Sequence, residues 1–416
     1  MLENEVFSNI IIDEKSFSCT YNFSTKPTYF YFCLLILTFM KFKLLIFIDW
    51  YKPGYKAGGP IRSVSNMVDV FNKDFEIYIV TRDTDYMETT PYSNIKSDEW
   101  NNLDDASVFY LSKENTKRTT LHQLIDTINP DIIYCNSLYS PYFSLIPIHY
   151  AKKKNIKTIL AVRGMLSKGS LGVKKTKKKV FTQFIKWVRL FRNINFHATT
   201  NEEKKDIEAV FGKNTQIVVA NNLPEQKTRT FTIKTKTEKN LKLVSIARIA
   251  PEKNTLYAIN VLKKCHQNIL FDIYGPIYNQ EYWKECLKTI SELPVNVKVN
   301  YKGALPHHKI DTTIQQYHAL LLPSTGENFG HIIIEAMANA CVPIISDKTP
   351  WRNLTTLNVG FDINLSNTEQ FTTIIDKVAS MDEITFNEMA KNAFNYSQQV
   401  TNNQSLIEQY KQLFQL

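Results

Sequence analysis

Four side chains in the second half of this 416-residue sequence have types and spacings that suit one ligand. Glu327 and Glu335 stand eight positions apart in "STGENFGHIIIEAMANACVPIIS", residues 324–346. A carboxylate accepts two hydroxyl donors at once, so a pair at this separation can hold two vicinal diols of one elongated molecule. Upstream, Arg248 and Lys253 lie in "SIARIAPEKN". A guanidinium fork takes two oxygens and an ammonium neutralises a third, which suits a diphosphate. Each signal alone has a plainer reading. A helical glutamate commonly has a local ion-pair partner, and cations after a strand are commonly solvated.

These residues need a scaffold, and the same stretch describes one. "ALLLPS" reads as a buried strand, "TGENFG" as a turn, "HIIIEAMANA" as a helix and "CVPIIS" as a further strand. A strand–turn–helix junction aims free backbone N–H groups at the loop mouth, where the partial positive charge of the helix end favours phosphate. Glu327 falls in the turn and Glu335 one to two turns into the helix. A comparable junction occurs early, in "WYKPGYKAGGPIRSVSNMV". There Gly58 and Gly59 precede a helix with Pro60 in its first turn, which lets the backbone pass close to a ligand. The G-x-G-x-x-G fingerprint is absent, and a plain turn is the simpler reading.

From Met40 onward, short Ile/Val-rich runs alternate with helical patterns, as in βαβ units on a parallel sheet. The alternation breaks at the polar, Thr/Lys-rich 226–240 and then restarts. This predicts an α/β protein of two doubly wound, Rossmann-like domains, 40–225 and 241–416, joined by a linker over 226–240. The ligand cleft should lie between them at the carboxyl ends of the strands. The last clear helix, "NQSLIEQYKQLF", is expected to pack back toward the first domain. Residues 1–39 are read as an extension outside the domains. The apolar "YFYFCLLILTFM" (29–40) leaves a membrane anchor or a signal peptide as alternatives, although twelve residues fall short of the roughly 20 a spanning helix needs.

Together these segments resemble a family-four retaining glycosyltransferase of the GT-B fold. The matching pieces are "AGGP" (57–60), "RIAPEK" (248–253), "YGP" (274–276), "YKG" (301–303) and "PSTGENFGHIIIEAMANACVPIIS" (323–346). "RGML" (163–166) and "FHATTNEE" (196–203) resemble a subgroup acting in bacterial surface-polysaccharide assembly. The resemblance implies a nucleotide-sugar donor as substrate, no cofactor and no metal. Arg248 and Lys253 would hold the donor's diphosphate, Glu327 the transferred sugar and Glu335 the ribose. Asn328, Phe329 and Gly330 would offer backbone N–H groups, with Gly58 and Gly59 under the diphosphate from the other domain. Arg163 stands where relatives often carry histidine, and a phosphate or acceptor contact is expected of it. The implied acceptor is a glycan, lipid-linked, as in capsule, O-antigen or exopolysaccharide synthesis. The runner-up enzyme is another GT-B catalyst on nucleotide sugars, such as an epimerase. A non-catalytic basic adaptor for membranes or nucleic acid is the reading outside enzymology.

Charge adds a local feature. Residues 151–200 hold fourteen Lys/Arg and no Asp/Glu, more than the whole chain's net +10, so the remainder is net negative. Within it, Val180, Phe181, Phe184, Ile185, Val188 and Phe191 share a helical face beside Trp187. Such a helix either packs on the first domain or lies on an anionic membrane. No recognised module accompanies the charge to favour nucleic acid. The six scattered cysteines lack ligand spacing, which fits a reducing compartment; the expected place is the cytoplasm, with peripheral attachment to the inner membrane face. Asp83 and Asp85 follow a strand as D-x-D and are expected to be a solvated loop rather than a metal site. His197, His307, His308 and His331 read as structural.

Overall fold

The computed structural model describes residues 11–13, 18–20, 41–166 and 190–416. In the N-terminal unit, β1 (Ile11–Asp13) pairs antiparallel with β2 (Ser18–Thr20). The remainder of 1–40 and residues 167–189, which hold all of the predicted basic helical face but Phe191, lie outside the described residues.

The first large sheet has eight strands. These are β3 (Phe42–Phe47), β4 (Phe75–Arg82), β5 (Trp100–Leu103), β6 (Ala106–Leu111), β7 (Ile132–Cys135), β8 (Lys157–Ala161), β9 (Asn195–Ala198) and β10 (Ile217–Val219). Their order is β10-β9-β8-β7-β3-β4-β6-β5. The ladders β10–β9, β9–β8, β8–β7, β7–β3 and β4–β6 are parallel, and β5–β6 is antiparallel. The central strands are apolar throughout because both faces are covered: Leu44 to Phe47 and Ile132 to Cys135 are all buried. One covering element is α1 (Gly59–Phe71), which turns Ile61, Val64, Met67, Val68 and Phe71 inward at helical spacing.

The second sheet contains β11 (Asn240–Ile246), β12 (Asn268–Tyr274), β13 (Val297–Tyr301), β14 (Ala319–Leu322), β15 (Val342–Ser346) and β16 (Phe361–Ile363). All its ladders are parallel, in the order β13-β12-β11-β14-β15-β16. Counted within this sheet, the order is 3-2-1-4-5-6, the doubly wound arrangement of dinucleotide-binding folds. The chain reverses direction across the sheet between β11 and β14, so a crevice opens where their following loops part. "RIAPEK" is the loop after β11, and "PSTGENFG" is the loop after β14.

Three helices close the chain: α2 (Thr368–Ser380), α3 (Glu383–Thr401) and α4 (Gln404–Phe414). The last packs on the first sheet domain. Tyr410 and Phe414 contact Phe71, and Phe414 also meets Phe75 and Tyr134. The Lys157 amine donates to the Phe414 carbonyl. The segment 226–240, read as a linker, is fastened to the second sheet domain. Lys234 and Lys236 are buried, their amines donating to the carbonyls of Ile314 and Gln315 and of Thr237, Ala379 and Met381. Arg229 pairs with Glu225 and Asp311. Lysine stems cover apolar surface while carbonyls satisfy the ammonium, so a polar composition still builds a fixed strap.

Candidate active site

The loops after β11 and β14 meet at the crevice. Lys253 Nζ lies 2.6 Å from Glu327 Oε1, and both side chains are largely buried. The diphosphate cation and the sugar carboxylate expected from sequence are therefore one ion pair. Arg248 is more open; it pairs with Glu252 at 3.5 Å, and its guanidinium carbon lies 5.0 Å from the Tyr278 ring centroid. The "YGP" and "YKG" segments fix that loop. Gly275 adopts φ +147, and a Cβ there would lie 1.8 Å from the Ala247 carbonyl oxygen, so only glycine permits this approach. Ile249 N then donates to Pro276 O, and Gly275 N to Gly303 O.

Gly330, at φ +74, caps α5 (His331–Ala338), the helix that carries Glu335. Asn328, Phe329 and Gly330 precede it, and among the described residues their N–H groups have no backbone acceptor. The Phe329 carbonyl accepts from the Trp351 indole, which fixes the turn. Ile333 and Ile334 belong to the core beneath, alongside Met337. Glu335 is buried, and its carboxylate pairs with Arg62 of α1 in the first domain. Burial lowers the Arg62 guanidinium to about 10. Glu335 Oε2 has no hydrogen bond among the described residues. His331, beside it, shares a 3.0 Å hydrogen bond with Ser63 of α1. Burial drives the His331 imidazole well below its ordinary value, so it is neutral.

The first domain brings α1 across the crevice. Gly58, at φ +75, precedes the helix, and Gly59 opens it. A Cβ at either glycine would meet no protein atom within 4 Å, so the protein's own packing does not demand their small size. A second crossing joins "RGML" to the glutamate loop: a Cβ on Gly164 would lie 2.5 Å from Asn328 Oδ1. A third is the stack of Tyr86 on Tyr278, with centroids 4.9 Å apart, where Tyr278 Oη also donates to the Lys56 carbonyl at 2.7 Å.

Arg163 departs from expectation. Its Nε donates to Asn136 Oδ1 at 2.6 Å, Nη2 to Tyr134 Oη at 2.9 Å, and Nη1 to Asn222 Oδ1. The fork is spent on the protein, so Arg163 ties the ends of β7 and β10 rather than presenting a free cation. "FHATTNEE" has a comparable role: Glu203 accepts from Gly164 N, Thr199 N and Thr199 Oγ1 and so anchors the "RGML" turn. Asp83 and Asp85 are not a solvated loop; both are buried. Asp85 accepts from the backbone N–H groups of Tyr55, Lys56 and Tyr86, and Asp83 accepts from Ser97. Among the described residues, no group of three or more His, Cys, Asp or Glu side chains could hold a metal ion. Likewise, no helix of the described residues is long and apolar enough to cross a membrane. Arg62, Ser63 and Tyr278, which the sequence did not single out, also make contacts across this crevice. Arg62 sits three residues after Gly59, one turn into the helix, which was the available signal.

Residues 226–396 match the family Glycosyl transferases group 1. Among curated proteins, the GtfA subunit of a UDP-N-acetylglucosamine–peptide N-acetylglucosaminyltransferase from Streptococcus pneumoniae is 25% identical over 172 residues, 40% of this chain and 32% of that protein. Its Streptococcus agalactiae counterpart is 28% identical over 120 residues, 28% of this chain and 22% of the relative. The chain thus spans a third or less of these relatives' length. Among solved structures, Anabaena HepE in complex with UDP and glucose superposes with a TM-score of 0.64 at 16% identity, covering 90% of this chain and 98% of that one. Sucrose-phosphate synthase from Thermosynechococcus elongatus gives 0.65 at 13% identity, with the same coverage. The chain is a protein of the GT-B fold, two Rossmann-like domains facing one cleft, and its residues 226–396 match the group 1 glycosyl transferases.

Proposed function

We propose that this protein is a glycosyltransferase that moves a sugar from a nucleoside-diphosphate sugar to a glycan acceptor, with retention at the anomeric carbon. The observation that carries the reading is the Lys253–Glu327 pair at the reversal point of the 3-2-1-4-5-6 sheet, within a segment matching group 1 glycosyl transferases. A uridine donor is favoured by the names of both curated relatives. The acceptor we infer is a lipid-linked glycan of cell-surface polysaccharide assembly at the inner membrane face, on the strength of "RGML" and "FHATTNEE". The basic 151–200 segment would supply the attraction to anionic lipid.

The chemistry follows from charge. As the sugar–phosphate bond breaks, negative charge grows on the diphosphate and positive charge on the anomeric carbon. Lys253, Arg248 and the N–H groups opening α5 would meet the negative charge as it develops on the diphosphate. Glu327 holds sugar hydroxyls, and Glu335 holds the ribose once Arg62 yields its carboxylate. The fixed cations stabilise the leaving diphosphate without a metal. The acceptor hydroxyl attacks on the face the diphosphate leaves, so Glu327 binds rather than forms a covalent bond.

The test is donor turnover. The protein incubated with a panel of nucleotide sugars should release UDP from at least one UDP-sugar, and release should persist in EDTA. Strict metal dependence, or no turnover with any donor, defeats the proposal. A product that is the donor's own epimer would instead identify the runner-up chemistry.

A further inference from the structure

A second hollow, of about 300 Å³, lies in the first domain beside the cleft. That is the low end of the roughly 300–1,000 Å³ that small-ligand sites occupy. Two loops build it, the one running into Gly58 and the one after β4. Tyr55 and Lys56 come from the first loop; Glu88, Tyr92, Ser93 and Asn94 come from the second. The buried Asp85 carboxylate locks the loops together by accepting from Tyr55 N and Lys56 N. Tyr92 N donates to Asp83 O, and a Cβ on Gly54 would lie 2.1 Å from Tyr92 Oη, so the walls have no slack.

The lining charge restricts what can enter. Lys56 is its one cation, and that ammonium is paired with Glu88. Asp85 is the other lining anion. A phosphate, a uronate or a lipid headgroup would meet two carboxylates and no free positive charge. What remains available is neutral: hydroxyl and amide groups on Ser93 and Asn94, and tyrosines that present an apolar face with a polar tip. This combination suits an uncharged polyhydroxylated ring.

Position links the hollow to the expected donor site. The Lys56 carbonyl accepts from Tyr278 Oη, and Tyr86, next to Asp85, stacks on the same ring. Tyr278 in turn carries the Arg248 guanidinium. One residue of the second domain therefore separates the hollow's wall from a diphosphate cation. We propose that this hollow between Tyr55 and Asn94 is the acceptor subsite and that it takes a neutral sugar residue. The proposal rests on the glycosyltransferase reading above.

The probe is a glycan array carrying neutral, uronate-containing and phosphorylated glycans, presented to the full chain. Wild type should retain neutral glycans, and saturating UDP should not displace them. Ser93→Trp, which fills the hollow from an exposed position, should lower that retention at least about tenfold. A UDP-induced rise in melting temperature reports that the variant is folded; should it be lost, Asn94→Ala, which removes only an exposed amide, takes its place with a smaller loss expected. Retention of charged glycans alone, no retention by protein that still responds to UDP, or unchanged retention in the folded variants overturns the subsite. Failure of the donor reading is separately visible as the absence of any UDP response in wild type.

Discussion

At the scale of residues, the Lys253–Glu327 pair makes a stability prediction distinct from its role in transfer. Both side chains are mostly shielded, so removing one leaves the other a poorly solvated charge. Breaking a fully buried pair costs about 3–5 kcal/mol, and this partly open one should cost less. Lys253→Met is therefore expected to lower the melting temperature and to reduce turnover by about a hundredfold or more. Glu327→Gln should do the same to turnover at a smaller stability cost, because the amide oxygen can still accept from the Lys253 ammonium, whereas methionine offers Glu327 no donor. In the double variant, thermal melting should recover toward wild type while turnover stays lost. Recovery of turnover would show that the pair is structural only. Arg62 extends the argument, since it holds the carboxylate assigned to the ribose. Arg62→Met removes that competitor but strands Glu335 in the same way, so nucleotide affinity should rise as the melting temperature falls. An unchanged affinity in calorimetry would mean that Glu335 does not contact the nucleotide.

At the scale of elements, the turn into α5 is the part that a single methyl should disturb. Gly330 sits at φ +74, and a Cβ there would lie 2.7 Å from Ile333 Cδ1. Gly330→Ala should cost about 1–3 kcal/mol from backbone strain and should tilt the helix start that faces the donor. Weaker nucleotide binding by calorimetry, with the fold kept by circular dichroism, is the expected outcome; wild-type affinity would remove the helix start from the site. This junction was readable in the sequence because its signals agree: an apolar strand, a glycine turn and a strongly apolar helix. The helix Glu383–Thr401 was not singled out, and the reason is physical. Its inward face is Phe386, Met389, Ala390, Ala393 and Ser397, so small residues carry much of the packing and the apolar stripe is faint. The edge strand Trp100–Leu103 was missed because its residues are not fully buried and it shows no apolar run. Arg62 escaped notice for another reason. An arginine one turn into a helix is ordinary until the opposite domain supplies Glu335. Likewise, Asp83 and Asp85 read as a solvated loop because nothing local indicates that Asp85 will accept three backbone N–H groups from two loops.

At the scale of the whole molecule, the terminal helix and the buried histidines make stability a property of both domains. Tyr410 and Phe414 are fully buried against the first sheet domain, although the chain reaches them only after the second. Phe414→Ala should cost about 3–5 kcal/mol and lower the melting temperature of the whole chain; an unchanged transition would show that this contact contributes nothing to stability. The histidines set the pH response. His197 lies 2.7 Å from both Tyr134 Oη and the Ala220 carbonyl. The carbonyl can only accept, so Nε2 carries the proton and Nδ1 accepts from the tyrosine. Burial, reinforced by Arg163, lowers its pKa to about 3. His318 is held the same way, accepting from Lys242 N and donating to Thr235 O, and burial lowers it to about 4. His331 lies well below its ordinary value for the same cause. In the unfolded chain all three take protons near pH 6.5, whereas in the folded chain they do not until far lower. Their contribution is therefore complete above pH 6.5 and is lost as pH falls below it, because the unfolded state then binds more protons. Each histidine adds a slope of up to about 1.4 kcal/mol per pH unit in that window. Urea midpoints at pH 7.5, 6.5 and 5.5 should fall a little between the first two, where the unfolded imidazoles become half protonated, and clearly further at the third. His197→Gln, whose amide can donate to Ala220 and accept from Tyr134, should flatten the fall by one proton. A midpoint as high at pH 5.5 as at 7.5 would show that these imidazoles are not held neutral by the fold.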